Sequence, residues 1–187
     1  ILFGQIDSSE GLVDLHIKGA GKTPYSRFGD GRAVIRSSVR EHLCGEAMFG
    51  LGIPSSRSLM LFGSNEPVMR EETERGAMIV RTAKTHIRFG HFEYFHHNKI
   101  ADGVKTLLDH VIDCYYPNTK QDSDKYLLFL DATVKKTAHM VSAWQSVGFN
   151  HGVMNTDNMS ILGETFDYGP YALSLIHISE PTRPIAI

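Results

Sequence analysis

Val13, Leu15 and Ile17 alternate with Asp14, His16 and Lys18, a period of two that predicts a half-buried strand. On that reading the apolar members face the core and Lys18 stands on the polar face, away from it. The Gly19-Ala20-Gly21 run breaks the strand, and residues 22–33, rich in Gly, Ser, Pro and charge, predict a functional loop. A helix is expected from Ser37 or Ser38. Ser38-Val39-Arg40-Glu41 has capping-box spacing, and Val39, Leu43, Ala47 and Leu51 give an apolar stripe until Gly50, Gly52 and Pro54 stop it. Short strands are predicted over 58–62 and 77–82. The segment from His86 to Phe95, where histidines and aromatics mix, predicts an aromatic strand and loop against the core. Ile100, Val104, Leu107, Leu108, Val111 and Tyr115 mark a second helix, ended before Pro117. A third runs over 123–147, with Tyr126, Leu130, Val134, Ala138, Val141 and Trp144 facing inward. The order is a small mixed part followed by a helical part, an α+β arrangement.

The 187 residues suffice for one domain with a sizeable core, and 42% hydrophobic with 21% charged residues is ordinary globular composition. A net charge of −2 implies neither a nucleic-acid nor a membrane partner, and no apolar run approaches the length of a membrane span. The charge is uneven, however. Between Lys18 and Arg40 stand six basic residues (Lys18, Lys22, Arg27, Arg32, Arg36, Arg40) and one acidic residue, Asp30. That excess suits an anionic ligand such as a polyphosphate, with a solvated basic face as the plainer alternative. Cys44 and Cys114 are the only cysteines and lack metal-type spacing, which points to a reducing compartment. His86, His91, His96 and His97 crowd one segment, but their spacing matches no familiar zinc pattern.

The residues with the most chemical content lie near the C-terminal end. His151-Gly152-Val153 and Asn158, followed by Asp167-Tyr168-Gly169, match the protein-kinase catalytic loop H-R-D-x-x-x-x-N and its D-F-G. Val153 departs from that pattern. It occupies the place of the aspartate that accepts the substrate hydroxyl proton, and valine accepts none. Asn158 and Asp167 remain as short oxygen donors of the kind magnesium takes beside phosphates. Asp157 is the nearest carboxylate to the missing base, open to a role as displaced base, metal contact or turn residue. Upstream, Lys18 precedes Glu41 by 23 residues, the strand lysine and helix glutamate that kinases pair over the phosphates. A solvent lysine and a plain capping glutamate are the alternatives. Arg81 and Arg88 offer planar forks suited to phosphate, or else surface ion pairs. The sequence thus predicts a protein-kinase-like two-lobed fold, truncated at both ends. Residues 1–97 form an incomplete first lobe and residues 98–172 an incomplete helical lobe.

Three long blocks carry a resemblance. Lys18-Gly19-Ala20-Gly21-Lys22-Thr23-Pro24-Tyr25-Ser26-Arg27-Phe28-Gly29-Asp30-Gly31-Arg32-Ala33-Val34 is the first, and the ten residues from His86 to Phe95 are the second. The third runs from Trp144 to Ser160 and closes with Asp167-Tyr168-Gly169-Pro170. Together they resemble the selenoprotein O (SelO/YdiU) family over about residues 12–172. The resemblance implies a kinase-like fold and transfer of AMP from ATP to Ser, Thr or Tyr hydroxyls of protein substrates, releasing pyrophosphate. It implies ATP and Mg2+ as cofactors. Lys18, Asp30, Gly31, Arg81 and Arg88 match nucleotide-binding positions and Glu41 the partner of Lys18. Asn158 and Asp167 match magnesium ligands, with Asp167 also near ATP, and Asp157 matches the proton acceptor. In this family the nucleotide is held to bind flipped relative to kinases, which would explain how Val153 is tolerated. The resemblance further implies a family glycine-rich segment upstream of Ile1 and a large C-terminal part, so the chain is expected to be an internal piece. An ATP-binding pseudokinase and a conventional kinase are the rival functions. Residues 173–187 resemble the translation of a sequencing-library transposase adapter, so genuine coding sequence is expected to end near Ala172.

Overall fold

The computed structural model describes residues 1–9, 11–26 and 28–173. Arg27 of the basic run and residues 174–187 of the adapter-like tail lie outside the described residues. The chain forms two compact units. The first comprises Ile1–His86 with Glu164–Gly169, and the second Ile87–Gly163 with the described residues from Pro170 on. The sequence-based boundary at 97/98 thus falls eleven residues earlier, because the segment after His86 packs with the helices that follow it.

In the first unit, strands β1 (Leu2–Ser8), β2 (Gly11–Lys18), β3 (Ala33–Val34), β4 (Arg57–Met69) and β5 (Thr73–Ala83) form one five-stranded antiparallel sheet, with helix α1 (Ile35–Gly50) between β3 and β4. β5 is its centre. β2 and β3 share one edge of β5 and β4 takes the other, interrupted by register shifts between Ser58 and Met60 and between Gly63 and Pro67. The short strands expected over 58–62 and 77–82 are therefore pieces of one long hairpin. Along β5, Ala77, Ile79, Arg81 and Ala83 are buried at period two, so an arginine is in phase with the core. Asp14, His16 and Lys18 pair directly with Ala83, Arg81 and Ile79, and directly paired residues project to the same face. The polar members of β2 are therefore the inward ones, and the expected placement of Lys18 away from the core is reversed. Val13, Leu15 and Ile17 occupy the outer face, half-buried beside their neighbours.

α1 begins at Ile35, ahead of the expected start, with Val34 extended at its N-cap and no side-chain cap. The capping box is not formed. Ser38 is buried, Ser37 Oγ donates to Val34 O at 3.0 Å, and Glu41 is used elsewhere. The buried face carries Ser38, Glu41, Cys44, Gly45 and Met48, while Val39, Leu43 and Leu51 of the expected stripe are exposed.

The second unit holds α2 (Phe89–His97), α3 (Gly103–Tyr115) and α4 (Lys125–Ser146), and a two-stranded ladder of β6 (Phe149–Asn150) with β7 (Ala172–Leu173). Val111, Ile112, Phe129, Ile161 and Leu162 form its core, with Phe89 and Phe92 packed against it. α2 replaces the expected aromatic strand and loop. Phe89, Phe92 and Phe95 are its half-buried members, at helical spacing, and His91 Nδ1 accepts the Arg88 amide at 3.0 Å to close its N-terminus. α4 buries Phe129, Thr133, Met140 and Trp144, whereas Tyr126, Leu130 and Val134 are exposed. Two aromatics set that rotation: Phe129 packs edge-on to Tyr116 and Trp144 edge-on to Phe149. No helix among the described residues is long and apolar enough to cross a membrane.

Gly19 connects β2 to the loop at φ +92°, and a Cβ there would stand 2.4 Å from the Ala77 carbonyl oxygen. Gly19→Ala is expected to destabilise the protein by about 2–4 kcal/mol, since it adds backbone strain to a clash. Gly50→Ala, at the open end of α1 with nothing within 4 Å, should be neutral or stabilising by up to about 0.5–1 kcal/mol. Thermal melts of the two variants read the difference directly.

Candidate active site

The first unit gathers four of the predicted site residues. Lys18 Nζ donates to Glu41 Oε2 at 2.8 Å, so the strand lysine and helix glutamate meet as their spacing predicts. Arg81 Nε donates to the other Glu41 oxygen, and Arg81 Nη2 donates to Asp167 Oδ1 at 2.6 Å. Lys18 Nζ lies 3.7 Å from that same Asp167 oxygen. Two cations and two anions therefore close a ring: Lys18 to Glu41, to Arg81, to Asp167 and back. Arg81 is 2% exposed and Glu41 5%, so these charges have left water and depend on one another. Burial pushes the Glu41 carboxyl up, but Arg81 and Lys18 outweigh it and hold the group below its ordinary range. Burial likewise pulls Arg81 down, and Asp167 and Glu41 outweigh it, so the guanidinium stays charged.

The sequence offers Arg81 as a phosphate-type fork or a surface ion pair; here the fork is buried and engaged by two carboxylates. The Arg81–Glu41 pair has a signal in the sequence. Arg81 is in phase with Ala77, Ile79 and Ala83 on a strand, and Glu41 is in phase with Cys44 and Met48 on a helix. A buried charge of each sign on facing elements calls for a pair.

Asp30 and Gly31 sit in the loop between β2 and β3. Asp30 accepts the Arg32 amide at 2.9 Å and receives both arms of Arg70, at 2.8 and 3.1 Å. Those bonds, the Arg70 one foremost, hold its carboxyl down to about 2. Gly31 has φ +69°, and a Cβ there would lie 2.0 Å from Gly21 O; only glycine lets the two sides of the loop close through Gly21 N–H to Gly31 O at 3.0 Å. Arg70, missed by sequence reasoning, is the fastener of this loop.

Asp167 adopts φ +63°, and Gly169 N–H donates back to its carbonyl at 2.7 Å. Its carboxylate is a hard oxygen donor of the type magnesium takes.

The second unit holds Arg88, Asp157 and Asn158. Arg88 Nη1 donates to Asp157 O at 2.7 Å. Asn158 Nδ2 donates to Val153 O at 3.0 Å, which engages the amide nitrogen and leaves its oxygen as the ligand-type atom, the correct donor for magnesium. Val153 thus contributes through its backbone. Asp157 lies in a short 3₁₀ turn, Thr156–Asn158, against the start of α2. A Cβ at Gly90 would stand 2.4 Å from Asp157 Oδ1, so a side chain at 90 would displace that carboxylate. His151 is buried and stacks on Trp144 at 5.3 Å, and Gly152, at φ +80°, sits where a Cβ would meet Pro170 O at 2.9 Å. These two are packing residues of the loop. The crowded histidines divide: His86 belongs to the first unit, stacked on His16 at 4.7 Å, His91 closes the N-terminus of α2, and His96 and His97 end that helix.

The described residues thus place a strand lysine, a helix glutamate, a strand arginine and an aspartate in one ion-pair cluster of an α+β chain. The chain belongs to the SelO family: the family model for protein adenylyltransferase SelO matches residues 1–178. Among its relatives are proteins named protein nucleotidyltransferase YdiU. That of Erwinia tasmaniensis is 56% identical over 91% of this chain and 36% of its own length. The Vibrio cholerae protein is 56% identical over 92% and 35%, and the Myxococcus xanthus protein 54% identical over 91% and 35%. The chain therefore spans about a third of the length of the curated relatives it matches.

Arg81→Ala leaves Glu41 buried without its main counter-charge and should destabilise the fold by about 3–5 kcal/mol, measured by urea unfolding. The Glu41 carboxyl is lower in the folded state than in the unfolded chain. Its contribution to stability is present above the unfolded value, about 4.3, and is lost as pH falls through the folded one. Melts from pH 7 to 3 should show a decline below about pH 4 that Glu41→Gln, already destabilised at pH 7, shows in weaker form.

Proposed function

We propose that this chain carries the nucleotide- and metal-handling part of a protein adenylyltransferase with a kinase-like two-lobed fold. The reaction joins the α-phosphate of ATP to a Ser, Thr or Tyr hydroxyl of a protein substrate. The hydroxyl oxygen forms the new bond to phosphorus, pyrophosphate leaves with the electrons of the broken bond, and the hydroxyl proton passes to a base. The observation that carries this reading is the closed cluster of Lys18, Glu41, Arg81 and Asp167, in a chain of the SelO family.

Each residue has a role in the proposal. Glu41 holds Lys18, whose ammonium faces the phosphates, and Asp30 and Gly31 shape the loop beside the nucleotide. Arg81 and Arg88 supply positive charge toward the phosphate chain, and Arg81 does so from a position already tied to two carboxylates. Asp167 and Asn158, on the sequence spacing, hold Mg2+, which when bound would neutralise charge on the phosphates. Asp157 takes the hydroxyl proton. Val153 supports transfer at the α-phosphate over ordinary phosphorylation, because the position that serves attack on a γ-phosphate has no proton acceptor.

Loss of a general base typically lowers rate by about 10²–10⁴. Asp157→Ala should therefore lower transfer by that factor with ATP affinity largely intact. Gly90→Ala should lower transfer as well, by displacing the Asp157 carboxylate. Intact-protein mass after incubation with ATP and magnesium is the readout. Addition of one AMP supports the proposal, addition of phosphate alone refutes it, and no addition with ATP still bound supports the pseudokinase instead.

A further inference from the structure

Asp167 is fixed by more than its ion pairs. Thr165 and Ser55 form an isolated parallel bridge. Thr165 N–H donates to Pro54 O at 2.8 Å, and Ser56 N–H donates to Thr165 O at 2.9 Å. On one side of Asp167, Phe166 is fully buried with its ring 6.0 Å from that of His86, and the His86 amide donates to the buried Asp14 carboxylate at 2.8 Å. On the other side, Tyr168 is 2% exposed and its hydroxyl is hydrogen-bonded to Ser55 Oγ. Its ring lies over Gly45 of α1, where an added Cβ would come 3.6 Å from the ring and 3.2 Å from Ser56 O. Ser55 has a single hydroxyl proton, engaged by Ser56 O at 2.9 Å and Thr165 O at 3.3 Å. That engagement favours Tyr168 as the donor of the pair and Ser55 as the acceptor.

A phenyl ring at 168 would fill the same apolar space, whereas a buried tyrosine hydroxyl loses water and needs a defined partner. The partner here sits on the segment after α1, so the hydroxyl fixes a direction as well as a depth. Asp167 lies between two buried rings at a positive φ, a backbone state that persists where neighbours over-determine it. We propose that Tyr168 and Ser55 are positioning residues for Asp167. Their hydrogen bond holds 164–169 in one arrangement and sets the aim of the carboxylate before metal arrives. The inference rests on the proposed role of Asp167 as a magnesium ligand.

The test uses the intact protein with Mn2+ alone as a paramagnetic probe of the metal site, and ATP without metal as the comparison. Tyr168→Phe and Ser55→Ala should each weaken Mn2+ affinity about 3- to 10-fold, as expected for one lost hydrogen bond, with metal-free ATP affinity unchanged. The double variant should match Ser55→Ala, because Tyr168→Phe removes only the Tyr168–Ser55 bond, which Ser55→Ala removes as well. Ser55→Thr, which keeps the hydroxyl, should restore affinity. A drop in melting temperature with Mn2+ affinity unchanged in both variants would overturn the positioning role, as would additive losses in the double variant. If the wild-type protein binds ATP but no Mn2+, the magnesium reading fails and carries this inference with it. That outcome is distinct from wild-type binding that the variants share, which sinks the positioning role alone.

Discussion

Glu41 on α1 and Arg81 on β5 have both left water, and neither charge can do so without the other. Much of the first unit follows from that constraint. For Glu41 to reach Arg81, α1 must turn its Ser38–Glu41–Cys44–Gly45–Met48 face to the sheet. For Lys18 to reach the second Glu41 oxygen, β2 must present its polar side to the same space. Asp167 completes the set by balancing the second cation. Its segment then belongs with the first unit although it is distant in sequence. A buried cluster of this kind adds little net stability over an apolar core, but it penalises any arrangement that leaves one member unpaired.

Most of the elements were legible in the sequence and their orientation largely was not. Period two found β2, and helical periodicity found α1, α3 and α4 close to their bounds. Each prediction assumed that the apolar stripe is the buried one. In β2 and α1 the inward face carries Asp14, Lys18, Glu41 and Ser38, and a rule that scores hydrophobicity must place these outside. In α4 the apolar residues extend around more than one side, so periodicity could not choose between the Leu130 face and the Phe129 face; Phe129 and Trp144 decided it by aromatic packing. α2 was hidden by its composition, since aromatic residues favour strands while the 89, 92, 95 spacing is helical. Of the candidate site, the pairing of Lys18 with Glu41 was readable from spacing. The double engagement of Arg81 was not, because it needs β5 and the 164–169 segment side by side. Arg70, which fastens Asp30 from forty residues away, left no local signal.

In the second unit the loop from His151 to Asn158 is held through backbone and packing contacts. The backbone carbonyl of Val153 anchors the Asn158 amide, and His151 fills the core beside Trp144. Gly152 and Gly90 supply space that side chains would occupy. Asp157, seated in the room left by Gly90, is the carboxylate that this loop still presents.

The central claim is that this architecture serves transfer at the α-phosphate of ATP. Parallel incubations with ATP labelled at the α- or the γ-phosphate, in the presence of magnesium, test it most directly. The account predicts label on protein from the α position, absent from the γ position, and reduced when Asp167 is replaced by alanine. Protein label from the γ position with none from the α position would contradict it.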